Sequence, residues 1–295
     1  MMTSPIHKSL LVAAILAGSL TAAVAQEVKT FTDTSRLVSI GGSLTEIIYA
    51  LGEEGRLVAR DQTAVYPEAA LKLPDVGYMR QLAPEGVLSV NPTALLIIEG
   101  SGPKETLDVL SKGSVEIVTV PEGFSHEGIL AKVRAVGTAL GVEAKAEELA
   151  TRLDGELKAA EAITAKVPER KRVLFILSMQ DGKVMASGTD TAANGIIELA
   201  GGVNAVDGYS GYKALTDEAI VTARPDVILM MSREGGHVVS DDELLSQAGI
   251  AMTPAAANRA IVRIDGAYAL GFGPRTASAI VDLATALYGA HPAAQ

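Results

Sequence analysis

The sequence contains no cysteine and no tryptophan, and its aromatic residues are limited to seven tyrosines and four phenylalanines. Without cysteine there is no disulfide framework, so stability has to come from a packed core. A lipid on an N-terminal cysteine is excluded by the same absence. So few aromatics, with no tryptophan, disfavour a sugar-stacking site. Positive charge is short as well: the net charge is −10 and lysine and arginine are not clustered, which argues against nucleic acid as a partner.

Histidine is scarce. His7 and His291 lie near the termini, and His126 and His237 are far apart. They read as surface histidines and predict no zinc or manganese centre. Enzyme signatures are missing too. Gly41-Gly42-Ser43-Leu44-Thr45 fails the nucleophile-elbow pattern at its last position. The glycine pairs Gly41-Gly42 and Gly201-Gly202 fit neither a P-loop nor a dinucleotide fingerprint. No Ser/His/Asp set and no carboxylate pair is recognisable, so an exported α/β hydrolase has little to support it.

What is present begins at the N-terminus. Lys8 precedes an apolar and small-residue run from Ser9 to Val24, which ends at Ala23-Val24-Ala25 before Gln26. This is the pattern of a cleaved secretory signal over residues 1–25. No later segment reaches the ~20 continuous apolar residues of a spanning helix. The mature chain of about 270 residues is long for one domain and comfortable for two. A free exported binding protein with no lipid anchor is expected in the periplasm of a two-membrane bacterium.

The organising signal is an internal repeat. Leu82 to Ile98 aligns without a gap on Leu215 to Met231, at a constant offset of 133 residues. Each copy reads as a short helix, a proline-bearing turn and a buried strand. Pro84 suits the first helical position and Thr216 an N-cap. Leu95 to Ile98 and Val227 to Met231 are the apolar runs of parallel strands covered on both faces. A second pair agrees. Leu37 to Ile40 is a strand, Ser43 and Glu46 form a capping box, and the helix they open closes at Gly52. In the other half Val173 to Leu177 is a strand, a hairpin-like segment follows, and Thr191 to Gly201 is a helix. Between the halves, Leu149, Leu153 and Leu157 recur at helical spacing within Val142 to Lys166. A helix of that length spans roughly 35 Å. The expected fold is α/β: two Rossmann-like lobes with mostly parallel sheets, residues 26–141 and 167–295, joined by one long helix over 142–166.

Tyr78 is the residue with the most chemistry. In Leu73-Pro74-Asp75-Val76-Gly77-Tyr78-Met79-Arg80, Gly77 turns the backbone, and an extended segment puts Tyr78 and Arg80 on one side. A guanidinium beside a phenol stabilises its anion, and phenolate is a hard donor for ferric iron and a known axial heme ligand. The alternative is an ordinary loop tyrosine. Arg233 follows a strand end, where open α/β sheets bind ligands; Arg275 sits in Gly271-Phe272-Gly273-Pro274-Arg275. Either fork suits a carboxylate, or each is structural. Glu85 and Glu218 are related by the repeat and open equivalent helices. They read either as favourable charge in a first turn or as matched anionic knobs for a two-fold partner.

These segments together resemble the periplasmic heme-binding proteins of bacterial heme ABC transporters, within the helix-linked (class III) substrate-binding group. The carriers are Asp61-Gln62-Thr63 with Tyr66-Pro67, Leu73-Pro74-x-Val76-Gly77-Tyr78-x-Arg80, and Glu85-Gly86-Val87-Leu88-Ser89 with Pro92. In the second half they are Ala200-Gly201-Gly202-x-Asn204, Gly211-Tyr212-Lys213-x-Leu215, Ala223-Arg224-Pro225-Asp226, Thr253-Pro254-Ala255 and Leu270-Gly271-Phe272-Gly273-Pro274-Arg275. The resemblance spans nearly the whole mature chain. It implies a binding protein and not an enzyme: a monomer with heme b as transported ligand, no catalytic cofactor, and an inner-membrane permease dimer with its ATPase as partner. It implies Tyr78 as axial ligand, Arg80 as its hydrogen-bonding neighbour, and Glu85 and Glu218 as permease contacts. Some relatives carry a histidine where this chain reads Ser178-Met179-Gln180. Met179 is expected only as apolar cover, because a thioether is a soft donor for ferric iron. Arg233 and Arg275 are the candidate propionate contacts. A ferric siderophore or a corrinoid is the alternative ligand.

Overall fold

The structure, a computed structural model, describes residues 28–113, 115–180, 182–232 and 239–289. The expected signal segment, Arg233 and His237 lie outside these.

The first lobe runs β1 (Leu37–Ile40), α1 (Gly42–Ala50), β2 (Leu57–Arg60), α2 (Pro84–Leu88), β3 (Ala94–Ile98), α3 (Lys104–Lys112), β4 (Glu116–Val120) and α4 (His126–Leu140). Its four strands are all parallel, in the order β2-β1-β3-β4. β1 and β3 are fully buried, as their unbroken apolar runs require when helices cover both faces.

A helix of 22 residues, α5 (Glu143–Thr164), joins the lobes. Leu149, Leu153 and Leu157 are buried on its inner face, as their spacing requires. It lies so close to α4 that a Cβ on Gly137 would collide with Ala146.

The second lobe runs β5 (Arg172–Gln180), β6 (Lys183–Ser187), α6 (Ala192–Leu199), β7 (Val203–Asn204), β8 (Tyr212–Leu215), α7 (Asp217–Ala223), β9 (Val227–Ser232), α8 (Asp241–Leu245), α9 (Ala248–Ala251), α10 (Pro254–Ala257), β10 (Ile261–Asp265), α11 (Gly266–Leu270) and α12 (Thr276–Tyr288). Its sheet has the order β10-β9-β5-β6-β8, with β7 beside β5.

The repeat is visible in register. α2 and α7 begin at Pro84 and Asp217, β3 and β9 at Ala94 and Val227, each 133 residues apart. Leu37 pairs with Ala94 in one sheet and Val173 with Val227 in the other, both parallel. The second sheet departs from the parallel pattern on one side: β5, β6 and β8 pair antiparallel, so the hairpin-like segment seen in the sequence is part of the sheet.

One buried cluster runs from β1 and β3 through α4 and α5 to Val173, Phe175, Phe272 and α12. The two lobes therefore share a core along one side. A second cluster, with Leu174, Ile176, Ile220 and Ile228, covers the other face of the second sheet.

The start of α1 differs from expectation. Its N-cap is Gly41, with no side-chain cap, and Ser43 lies inside the helix. Its amides are held instead by the 61–63 loop: Gly41 N–H donates to Asp61 Oδ1 (2.9 Å) and Gly42 N–H to Thr63 Oγ1 (2.9 Å). A Cβ on Gly42 would meet the Thr63 carbonyl, so the loop approaches too closely for any other residue. Glu46 is thereby released from capping.

Candidate ligand-binding site

Because the first sheet is parallel, all four strands end on one edge. The loops from that edge meet the second lobe. After β4, Phe124 packs edge-to-face on Phe272, ring centres 5.3 Å apart. A Cβ on Gly195 of α6 would collide with the Phe124 carbonyl. After β1, Ser43 faces Gly273, where an added Cβ would lie 3.4 Å from the Ser43 Cβ. The lobes thus present their strand ends to each other, the usual place for a ligand cleft in open α/β sheets.

Tyr78 stands in the first wall. Gly77, at φ +107°, turns the chain just before it, and Asp75 Oδ1 accepts from the Gly77 amide (2.9 Å). Tyr78 is half-buried and Arg80 exposed. Arg80 Nη1 donates to the Tyr78 hydroxyl oxygen at 2.7 Å. That bond takes one lone pair of the phenolic oxygen in a charge-assisted contact. The spacing of the two residues predicts a pair, and the structure brings them together.

The opposite wall holds a tyrosine to which the sequence assigns no role. Gly211, at φ +80°, precedes Tyr212 as Gly77 precedes Tyr78. Tyr212 opens β8, with its ring 6.4 Å from that of Phe175. Burial pushes its hydroxyl above the ordinary value, and Thr191 and the charge of Arg80 work against that shift. Arg80 of one lobe therefore acts on a tyrosine of the other. The signal for Tyr212 is a Gly-Tyr pair, one of two in the second lobe beside Gly208-Tyr209.

The floor between the walls is polar and buried. Lys132, on the apolar face of α4, is fully buried and pairs with Glu122 (2.5 Å). Its Nζ also donates to the Phe272 carbonyl (3.0 Å) of the other lobe. Desolvation pushes the Lys132 pKa down, and the Glu122 charge opposes it. Arg275 of the second lobe makes a two-pronged pair with Glu46 of the first, at 2.9 and 2.6 Å. Its guanidinium lies 3.9 Å from the centre of the Tyr66 ring and 5.1 Å from that of Tyr268.

Arg275, a candidate propionate contact, places its fork on the buried Glu46 carboxylate. Met179 is the residue expected as apolar cover. Met179 packs with the outer cluster of the second lobe. A bulge between Ile176 and Ser178 explains this, since one extra residue turns the following side chains to the opposite face. Arg233 lies outside the described residues. Glu85 and Glu218 are exposed at the starts of α2 and α7. Thr216 caps α7 through the Ala219 amide (3.2 Å). The Glu218 carboxyl is held below its ordinary value by its own backbone amide and by Thr216. His126 is not a surface residue: it is buried, with Nδ1 3.0 Å from Glu161 and Nε2 3.0 Å from Asp154, both on α5. Among the described residues no group of three or more His, Cys, Asp or Glu is arranged to hold a metal ion.

A family model described as periplasmic binding protein matches residues 37–268. The structure of the periplasmic heme-binding protein BhuT in complex with two hemes is 37% identical, with a TM-score of 0.81, over 85% of this chain and 97% of that one. The periplasmic heme-binding protein RhuT from Roseiflexus sp. RS-1, in apo form, is 37% identical with a TM-score of 0.82, over 87% and 98%. Among curated proteins, the uncharacterized ABC transporter substrate-binding lipoprotein YvrC of Bacillus subtilis is 27% identical over 267 residues, 89% of this chain and 83% of its own. A vitamin B12-binding protein of Vibrio campbellii is 22% identical over 213 residues, 72% of this chain and 74% of its own.

Proposed function

The chain belongs to the periplasmic binding protein family, and from that premise we propose that it binds ferric heme between its lobes and delivers it to an inner-membrane permease. Its family and its structural relatives are substrate-binding transport proteins, so it is a carrier and not an enzyme, and a permease with its ATPase is the partner class.

The observation that carries the heme reading is the Tyr78–Arg80 pair on the cleft wall, with 2.7 Å between Arg80 Nη1 and the phenolic oxygen. Ferric iron takes a hard oxygen donor, and a tyrosine side chain is a known axial ligand of heme iron. Tyr212, backed by Phe175, supplies an aromatic surface opposite. Arg233 and Arg275 are the candidates for the propionates, and Arg275 also pairs with Glu46. Glu85 and Glu218 are the docking anions. Among the described residues neither forms an ion pair, and their repeat-related positions suit a partner with two equivalent halves. Export as a free periplasmic protein fits the absence of any cysteine to lipidate. A corrinoid is the second reading, favoured by the vitamin B12-binding relatives.

The test is an absorption titration of the mature protein with ferric heme, beside Tyr78→Ala. Saturable binding, with a phenolate charge-transfer band lost in the variant, is the expected result. Saturable binding that the variant leaves unchanged rejects Tyr78 as the ligand. No saturable binding rejects heme and moves the corrinoid forward.

A further inference from the structure

Residues 271–275 of the second lobe press on α1 and α4 together. Lys132 Nζ reaches the carbonyl of Phe272 (3.0 Å), Ser43 faces Gly273, and Glu46 takes the fork of Arg275. Glu46 is 7% exposed, so the pair is made away from water, where a mismatched partner costs most. On its other side the same guanidinium lies 3.9 Å from the Tyr66 ring centre. Tyr66 belongs to the loop that follows β2, on the cleft edge of the first lobe, and is 46% exposed. Arg275 covers one face of its ring, and the side chain stays partly exposed.

We propose that Arg275 is a positioning residue. Through Glu46 it fixes the spacing of the two lobes, and through Tyr66 it presents an aromatic face to a flat ligand in the cleft. Two functions then share one side chain. A planar macrocycle seated on Tyr66 rests on a ring whose pose depends on the inter-lobe pair. Loosening the pair loosens the seat. Arginine suits this place because its fork matches a carboxylate edge-on while its plane stacks on a ring, and lysine can do only one of the two. The ligand half of this inference rests on the heme reading; the lobe-spacing half does not.

The test separates the halves. Spin labels are attached to the mature chain at Lys72→Cys and Asp207→Cys, exposed positions in the first and second lobes of a protein with no cysteine of its own. Inter-lobe distances are measured without ligand in the parent, Arg275→Lys, Glu46→Gln and Tyr66→Leu. The expected result is a broadened distance distribution for Arg275→Lys and Glu46→Gln, and an unchanged one for Tyr66→Leu. Glu46→Gln is nearly isosteric and gives the answer if Arg275→Lys does not fold. Dissociation of ferric heme is then followed by transfer to an excess of an apo-globin. Arg275→Lys and Tyr66→Leu should each speed it about tenfold, a loss of the size expected for a desolvated cation–ring contact. Distance distributions that match the parent in both pair variants overturn the lobe-spacing role. A dissociation rate unchanged in Tyr66→Leu overturns the aromatic seat. If the parent itself takes up no heme, the heme reading fails, while the distances still decide the role of the pair.

Discussion

The two lobes share a plan and differ in what they do with it. In each, a glycine at positive φ precedes a tyrosine, Gly77-Tyr78 and Gly211-Tyr212, a few residues ahead of the repeat helix. Two residues beyond the tyrosine the copies part. The first lobe has Arg80 there and the second Ala214. The hydroxyl of Tyr78 meets a guanidinium, whereas Tyr212 is set on the edge strand of a mixed sheet beside Phe175 and Thr191. The two tyrosines stand 134 residues apart, one residue off the 133-residue offset of the repeat, and face one cleft from opposite lobes. On the heme reading, the contact with Arg80 separates the tyrosine that meets iron from the one that packs.

The largest effect that would break this comparison is on binding itself. Tyr78→Phe removes one hydroxyl and should abolish the charge-transfer band and weaken ferric heme by about 100-fold or more, since every 1.4 kcal/mol is a factor of ten and an axial bond to iron exceeds two such steps. Tyr212→Phe keeps the ring and should keep the band, with affinity within about threefold of the parent. Titration of the two variants side by side decides it. Equal losses would make the tyrosines equivalent ligands and remove the distinction drawn from Arg80.

A smaller effect concerns the outer ends of the lobes, where the copies are most alike. Glu85→Gln and Glu218→Gln should leave heme titration curves unchanged. Each should slow ATP-driven uptake by the reconstituted permease by about two- to fivefold, the worth of one exposed ion pair. Similar losses from the two variants support symmetric docking. A loss confined to one makes the second glutamate a first-turn charge and nothing more.

The difference between plan and detail also sets what a sequence can reveal. Pro84, Thr216, the buried strand runs and the leucines of α5 obey local rules of capping and period, so the two lobes and their connecting helix are readable. Tyr78 and Arg80 are readable because they sit two apart on one extended segment. Arg275 and Glu46 are 229 residues apart, and nothing local marks them as partners. The capping box expected at Ser43 loses to Asp61 and Thr63, donated by a loop that only the tertiary fold brings near. Met179 is turned away by a bulge, which shifts facing by one residue and leaves no mark in composition. Lys132 does leave one, as a charge at core spacing between Ile129 and Val136, both buried in the same cluster.

The smallest effect tests whether tyrosines of the second lobe are held as structural donors. Tyr268 donates its hydroxyl to Asp282 Oδ2 at 2.8 Å. Burial, with the Asp282 bond and charge, pushes its pKa from 10.0 up to about 12, while Ser278 and Arg275 pull the other way. A group whose pKa is higher folded than unfolded lends stability in full below its unfolded value, and that stability is lost as pH rises through the folded value. The window is therefore pH 10 to about 12. Other tyrosines titrate there, among them Tyr209 and Tyr288, both also raised by burial, so the informative quantity is a difference between proteins. Urea unfolding at a series of pH values should show the parent more stable than Tyr268→Phe below pH 10 and the gap shrinking above it. A gap that stays constant through this range would mean that Tyr268 contributes packing alone, and that its bond to Asp282 holds no proton in place.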